Sequence, residues 1–325
     1  MAVIILHVAA PILYLYGSIP KYDWWLGNIV DSAVRFCVPI FLMLTGALIL
    51  PRTYELGEFL KKRFSRILIP FLFWSLVYIM YNLFSWNNDI NLSSYEIIKY
   101  TINAFKNGAF FHLWYIYLII GIYLFIPIIS KWIINSTKNE ITYYVIVWFL
   151  VILINLPLLI KYKPALELSY FSGYLGYPVL GYLLTIKFTE LKNKAYPILL
   201  FTTGFVVTII GTYYLTKAKG EFHDGFYSYL SPNVMIASIG VFLFFKHSTF
   251  NNKNFTNVSR SIGKYSLGIY LAHAIVLDIL SKIGISWSFI NPIIGIPLTT
   301  ILCLFISWLT IYSINKIPYG KLISG

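Results

Sequence analysis

The sequence predicts an all-α fold, a polytopic integral-membrane bundle of about ten transmembrane helices, with residues 1–325 forming a single domain. Three observations carry that expectation. Hydrophobic residues make up 58% of the 325 and charged residues 11%, and the mean hydropathy is +0.74, whereas soluble domains are roughly a quarter charged. Apolar runs long enough to cross a bilayer recur along the whole chain rather than at one anchor. None of these runs alternates apolar and polar residues as a barrel strand does, and a helix satisfies its own backbone in lipid.

The runs fall at about 1–17, 29–50, 67–86, 111–130, 141–160, 170–187, 196–216, 229–246, 265–283 and 289–315. Roughly 20 residues at a 1.5 Å rise cover the hydrocarbon core, which is the length these runs have. The first begins at Met1 with no charged flank, so a truncated start and a genuine one are equally open. Residues 1–16 lack the basic segment and small-residue cleavage site of a signal peptide. The second carries Arg35 inside it, and a charge within a span costs a few kcal/mol on insertion scales, so it is tolerated mainly for function. The third follows a basic loop holding Arg52, Lys61, Lys62, Arg63 and Arg66. Asp23-Trp24-Trp25 and Trp86 are expected at the outer boundary, where interfacial aromatics sit. Between the third and fourth runs, Tyr95, Ile98, Ile102 and Phe105 have helical spacing, which predicts an amphipathic helix on the outer surface. It would either shape an entrance for an acceptor or simply cover the bundle. No linker, low-complexity tract or internal repeat is evident.

A formal net charge of +13 would point to nucleic acid in a soluble protein. Here loop asymmetry explains it better, and no nucleic-acid partner is expected. Of the 25 Lys and Arg, 16 fall in the loops on the side of residues 51–66, 8 on the other side, and Arg35 within a span. The bias places the C-terminus, and for ten spans the N-terminus, in the cytoplasm, with membrane lipids as the surrounding partner. Cys37 and Cys303 both lie in apolar runs and say nothing about a disulfide.

Among the five histidines, His223 and His247 lie in polar loops and read as solvated. His7 lies within the first run. It is either a satisfied core residue or a general base, for which an imidazole titrating near neutrality suits abstraction of a hydroxyl proton. Antiparallel first and second helices would bring His7 and Arg35 to similar depth. Arg35 would then hold an acyl carbonyl or stabilise its oxyanion, or it would pair with Asp31 one helical turn away. Arg63 and Arg66, three residues apart, would share a helix face able to grip phosphates, or would be ordinary positive-inside charge. His112 with Trp114 and Tyr115 would bind a sugar or belong to an interfacial belt. His273 lies eight residues into the ninth run, with Asp278 beyond it, and a mid-depth ionisable group is a functional candidate by default. Metal-ligand spacing, a P-loop, a dinucleotide fingerprint and a GxSxG elbow are all missing from the sequence.

Taken in order, AVIILH, RFCVPIFLMLTGALIL, FLKKRFSRILIPF, FHLWYIYLI and IGKYSLGIYLAH resemble the membrane-bound acyltransferase-3 family over essentially the whole chain. Members of that family O-acylate cell-surface polysaccharides in bacteria. The resemblance implies an integral membrane O-acyltransferase with an acyl-CoA, usually acetyl-CoA, as donor substrate rather than a bound cofactor. It implies a glycan hydroxyl as acceptor and the polysaccharide synthesis machinery as a candidate partner. His7 would be the catalytic histidine, Arg63 and Arg66 the paired arginines suited to donor binding. Arg35, His112 and His273 match recurrent motifs with less defined roles, and Tyr270 joins His112, Trp114, Tyr115 and His273 as an acceptor or pocket candidate. The chain departs from the family in having no basic residue ahead of the first histidine, and the family's optional extracytoplasmic hydrolase-like domain is also missing. The rival reading is a transporter or flippase of a glycan or lipid-linked intermediate, with Arg35 and the histidines lining its path.

Overall fold

The computed structural model describes the chain except residues 88–92, 164–171 and 192, and leaves the side chains of residues 86, 87 and 162 undescribed. Trp86, expected at the outer boundary, is thus outside the described side chains. Among the described residues the chain is all helix with no strand. In order come α1 (Ala2–Leu13), α2 (Lys21–Val34), α3 (Cys37–Ile49), α4 (Leu56–Asn87), α5 (Ser94–Asn107), α6 (Trp114–Asn135) and α7 (Lys138–Ile154). There follow α8 (Gly176–Lys187), α9 (Ala195–Lys219), α10 (Pro232–Lys246), α11 (Lys253–Lys264), α12 (Ser266–Lys282), α13 (Pro292–Lys316) and α14 (Gly320–Ile323).

Every one of the expected apolar runs contains a helix. Among the described residues, five helical stretches are long and apolar enough to cross a membrane by length and composition, or six when α11 and α12 are taken as one bent span. One of the five, Lys21–Ile49, shows where the expected boundary was wrong. The helix starts eight residues before position 29, and Asp23, Trp24 and Trp25 form its first turns. Trp24 is only 2% exposed and donates its indole N–H to the Leu13 carbonyl at 3.1 Å. It packs with Leu13 and Tyr227 rather than lining a lipid boundary.

The same stretch is broken between α2 and α3 at Arg35 and Phe36. Pro39 supplies the reason. Its ring nitrogen has no proton to give the Arg35 carbonyl four residues back, and its ring crowds that carbonyl. The helical ladder resumes with Ile40 N–H donating to the Phe36 carbonyl at 3.0 Å.

The residues cluster into two compact units. The first comprises Met1–Thr53, Phe125–Phe250 and Trp287–Thr300. In it α1 packs on α2, α3 on α8, and α9 on α10. Small residues set these approaches, as they do between helices in lipid, where apolar side chains gain nothing by leaving the acyl chains. A Cβ on Gly46 of α3 would fall on the Pro178 carbonyl of α8, and one on Gly181 of α8 on the Met43 carbonyl of α3. Gly46→Leu should therefore destabilise the protein by about 1–3 kcal/mol through overpacking, read as a lowered melting temperature in detergent. An unchanged melting point would mean that α3 and α8 can separate at no cost.

The second unit comprises Tyr54–Leu124, Asn251–Ser286 and Ile301–Gly325. Here α4 packs on α5, α12 and α14. The expected amphipathic helix is α5, opened by a capping box between Ser93 and Glu96. Its Tyr95, Ile98 and Ile102 are exposed, as a helix lying on an apolar surface requires, while Phe105 is half-buried.

Candidate active site

In the first unit, α2 turns one polar face inward. Asn28, Asp31, Ser32 and Arg35 recur at three- and four-residue spacing, which aligns them along one side of a helix. Asn28, Asp31 and Ser32 are buried, and the Arg35 side chain is 14% exposed. The Arg35 Nε donates to Asp31 Oδ1 at 2.6 Å and Nη2 donates to Oδ2 at 2.8 Å. This bidentate pair is the ion pair that the spacing allowed. It makes the site close to neutral overall and fixes the plane of the guanidinium. Two of the five guanidinium N–H groups are engaged by Asp31. Arg35 also caps the C-terminus of α2, where a cation is favoured by the helix dipole.

The loop at residues 225–231, between α9 and α10, covers this pair. The Tyr227 ring lies 4.3 Å from the Arg35 Cζ and the Tyr229 ring 5.8 Å. A guanidinium over an aromatic face, away from water, gains up to about 2 kcal/mol. The Tyr227 hydroxyl donates to Asn28 Oδ1 at 2.6 Å and accepts from Ser32 Oγ at 3.2 Å. The loop itself is pinned from two sides and braced by a bond of its own. Asn233 Nδ2 donates to the Phe226 carbonyl at 2.7 Å, Ser231 Oγ donates to the Ser228 carbonyl at 2.7 Å, and the Tyr177 hydroxyl donates to the Tyr229 carbonyl. Against the same loop opens a cavity of about 240 Å³, into which Asn155, Ser172, Ser228 and Ser231 bring polar groups.

His7 belongs to the same unit. It is half-buried on α1, the helix that packs along α2.

In the second unit, Arg63 and Arg66 lie on α4, so their three-residue spacing does share a helical face. Arg63 is half-buried with its Cζ 5.7 Å from both the Phe59 and Tyr123 rings, while Arg66 is exposed. Just before α4, the Glu55 carboxylate accepts from the Glu58 N–H at 2.7 Å. The N–H groups of Glu58 and Gly57 hold this carboxyl below its usual range.

The same unit brings the two remaining candidate histidines together. His112 and His273 are both buried, with ring centroids 5.0 Å apart. The His273 Nδ1 is 2.5 Å from the Tyr270 carbonyl, which fixes the proton on Nδ1 because a carbonyl only accepts. The Tyr270 hydroxyl donates to the His112 carbonyl, and Tyr115 packs edge-on to Tyr270 at 5.7 Å. Trp114 stands at the rim, exposed and 6.3 Å from Tyr115. A belt residue would face the membrane surface, so His112, at 1% exposure, is not one. Asp278, beyond His273, is instead paired with Lys282 at 2.9 Å.

Sequence reasoning missed Asn28, Ser32, Tyr227, Tyr229 and Tyr78. The first two were within reach, since they complete the polar stripe ending at Arg35. Tyr78 stacks on Phe110 at 4.7 Å and donates to the Leu271 carbonyl at 2.7 Å. No local pattern marks it, or the two loop tyrosines, among the 27 tyrosines of the chain.

The family model described as an acyltransferase domain, that of the acyltransferase-3 family, matches residues 1–312. No curated protein and no solved structure matches the chain.

Proposed function

This chain belongs to the acyltransferase-3 family and is a membrane acyltransferase; from that premise we propose that it transfers an acyl group, acetyl in the simplest case, from acyl-CoA to a hydroxyl of a cell-surface glycan. The observation that carries the reading is the Arg35 guanidinium, held by Asp31 and overlaid by Tyr227 and Tyr229, in the unit that also contains His7. An apolar span retains such a group at a cost, and acyl transfer gives it work.

In this mechanism the neutral His7 imidazole takes the proton of the acceptor hydroxyl as that oxygen attacks the thioester carbonyl. Guanidinium N–H groups of Arg35 not engaged by Asp31 donate to the oxyanion of the tetrahedral intermediate. Asp31 and the tyrosines fix the guanidinium before the reaction, so little reorganisation is needed as charge develops. The intermediate collapses by breaking the C–S bond, and the CoA thiolate takes the proton from the His7 imidazolium. Ester and free CoA are the products.

Arg63 and Arg66 would hold the phosphates of the donor from the cytoplasmic side. The stacking of Arg63 on Phe59 and Tyr123 supports this by limiting the freedom of the guanidinium. On that orientation the C-terminus is cytoplasmic and the protein resides in the cell membrane. His112, Trp114, Tyr115, Tyr270 and His273 remain candidates for the acceptor. Replacing both Arg63 and Arg66 by Ala should raise the donor KM by about tenfold or more, since each tenfold corresponds to only about 1.4 kcal/mol of lost binding. An unchanged donor KM would remove the assignment.

Purified protein incubated with radiolabelled acetyl-CoA tests the whole reading. The expected result is CoA release and label transfer that both depend on a glycan acceptor. Acceptor movement across a vesicle membrane without CoA release would establish the transporter instead.

A further inference from the structure

We propose that α11 is a lipid-reading helix, lying on a membrane surface rich in anionic phospholipid, with Phe255, Val258 and Ile262 in the acyl-chain boundary. Three observations point there. The first is the pattern of KNFTNVSRSIGK. At 3.6 residues per turn, Phe255, Val258 and Ile262 fall within about 60° of one another around the axis. Lys253, Arg260 and Lys264 fall within about 40° on the opposite side. The helix contains no acid, so its charge is wholly cationic.

The second is direction. α11 and α12 meet at a bend of 77° and together are long and apolar enough to form a broken span or a re-entrant loop. With α12 upright in the bilayer, α11 lies within 13° of the membrane plane (90° less 77°). The third is exposure. No residue of α11 is buried; Phe255 is 52% exposed and Val258 59%. Its C-terminal part is held to the unit by Trp308, whose indole N–H donates to Ser261 Oγ at 3.0 Å on the flank between the two faces. Phe255 and Val258 are therefore presented outward, with Ile262 half-buried, by a helix that is anchored at one end.

A bilayer fits this surface on both counts. The exposed part of the apolar edge is stabilised where acyl chains replace water. The cations stand one helix diameter, about 10–12 Å, from that edge. That is slightly more than the Debye length of about 8–10 Å at physiological salt, so the attraction depends on the Lys and Arg stems extending and bringing their charges nearer the phosphates. Each Lys or Arg near an anionic surface adds about 1 kcal/mol of attraction, and α11 brings three. Occupancy would also hold the start of α12, the helix that carries Tyr270 and His273, at the membrane surface.

The test uses the full chain in liposomes of phosphatidylcholine with graded phosphatidylglycerol. Native mass spectrometry of protein released from them should show excess phosphatidylglycerol on the wild type. Replacing Lys253, Arg260 and Lys264 together by Gln should lower that excess about tenfold or more. Replacing Lys217, Lys219 and Lys282 by Gln should leave it as it was. A bimane fluorophore on Val258→Cys should be quenched by brominated acyl chains and shielded from iodide; Cys37 and Cys303 are both buried, so the label goes to the new cysteine. An undiminished phosphatidylglycerol excess in the Lys253, Arg260 and Lys264 variant would overturn the proposal. So would iodide quenching at position 258, or shielding from both quenchers, which would mean a protein covers the helix.

Discussion

His7→Ala protein should insert, melt and bind donor as the wild type does, yet turn over about 10²–10⁴-fold more slowly. That range is what a positioned general base contributes. His7 is half-buried, so losing its imidazole leaves no large cavity, and the deficit should fall on kcat rather than on stability. Acceptor-dependent CoA release by the purified variant gives the rate, and a thermal melt in the same detergent gives the control. If the variant turns over at a near-normal rate, His7 is a core residue and the base lies elsewhere. The buried histidine pair His112 and His273 would be the place to look next.

Asp31→Ala should produce the largest loss of stability of any single change considered, about 3–5 kcal/mol. Removing one partner of a buried ion pair leaves the other charge uncompensated, and that residual charge dominates the cost. The Arg35 guanidinium would be left over Tyr227 without its two charge-assisted bonds. Replacing both members, Asp31→Leu with Arg35→Met, should restore most of the lost stability, because well-packed apolar groups often substitute for a buried pair at little cost. It should not restore turnover. A thermal melt of the two variants beside the wild type separates the effects. A wild-type melting temperature for Asp31→Ala would mean that water reaches the guanidinium and the pair is not what holds it. Turnover by the double variant would mean that Arg35 has no part in the chemistry.

The expectation of helical spans came from composition and run length, and the helices are where those runs are. The charge in the second span was visible as well, and its partner Asp31 was legible from spacing alone. The expected start of that span was not. Trp24 and its neighbours looked like a boundary because tryptophans gather at interfaces, yet they open the helix whose later turns, from Asn28 on, carry the polar stripe. Pro39 was likewise in plain view and explains the break at Arg35, a signal that run length does not register. For His112 the sequence left a sugar site and a belt residue equally open, and burial removes the belt.

By itself, the sequence determined what is local: helical spans, a cation opposite an acid one turn away, two arginines on one helical face, and an amphipathic helix after α4. Only the tertiary structure decided that Tyr227 closes over a helix 199 residues earlier in the chain, and that Tyr270 reaches back 158 residues to His112. The physical reason lies in the solvent. In lipid a buried face and an exposed face are equally apolar, so hydropathy cannot say which side of a span meets another helix. That choice rests on close approaches such as Gly46 against Pro178, and these are properties of two surfaces together rather than of either run alone.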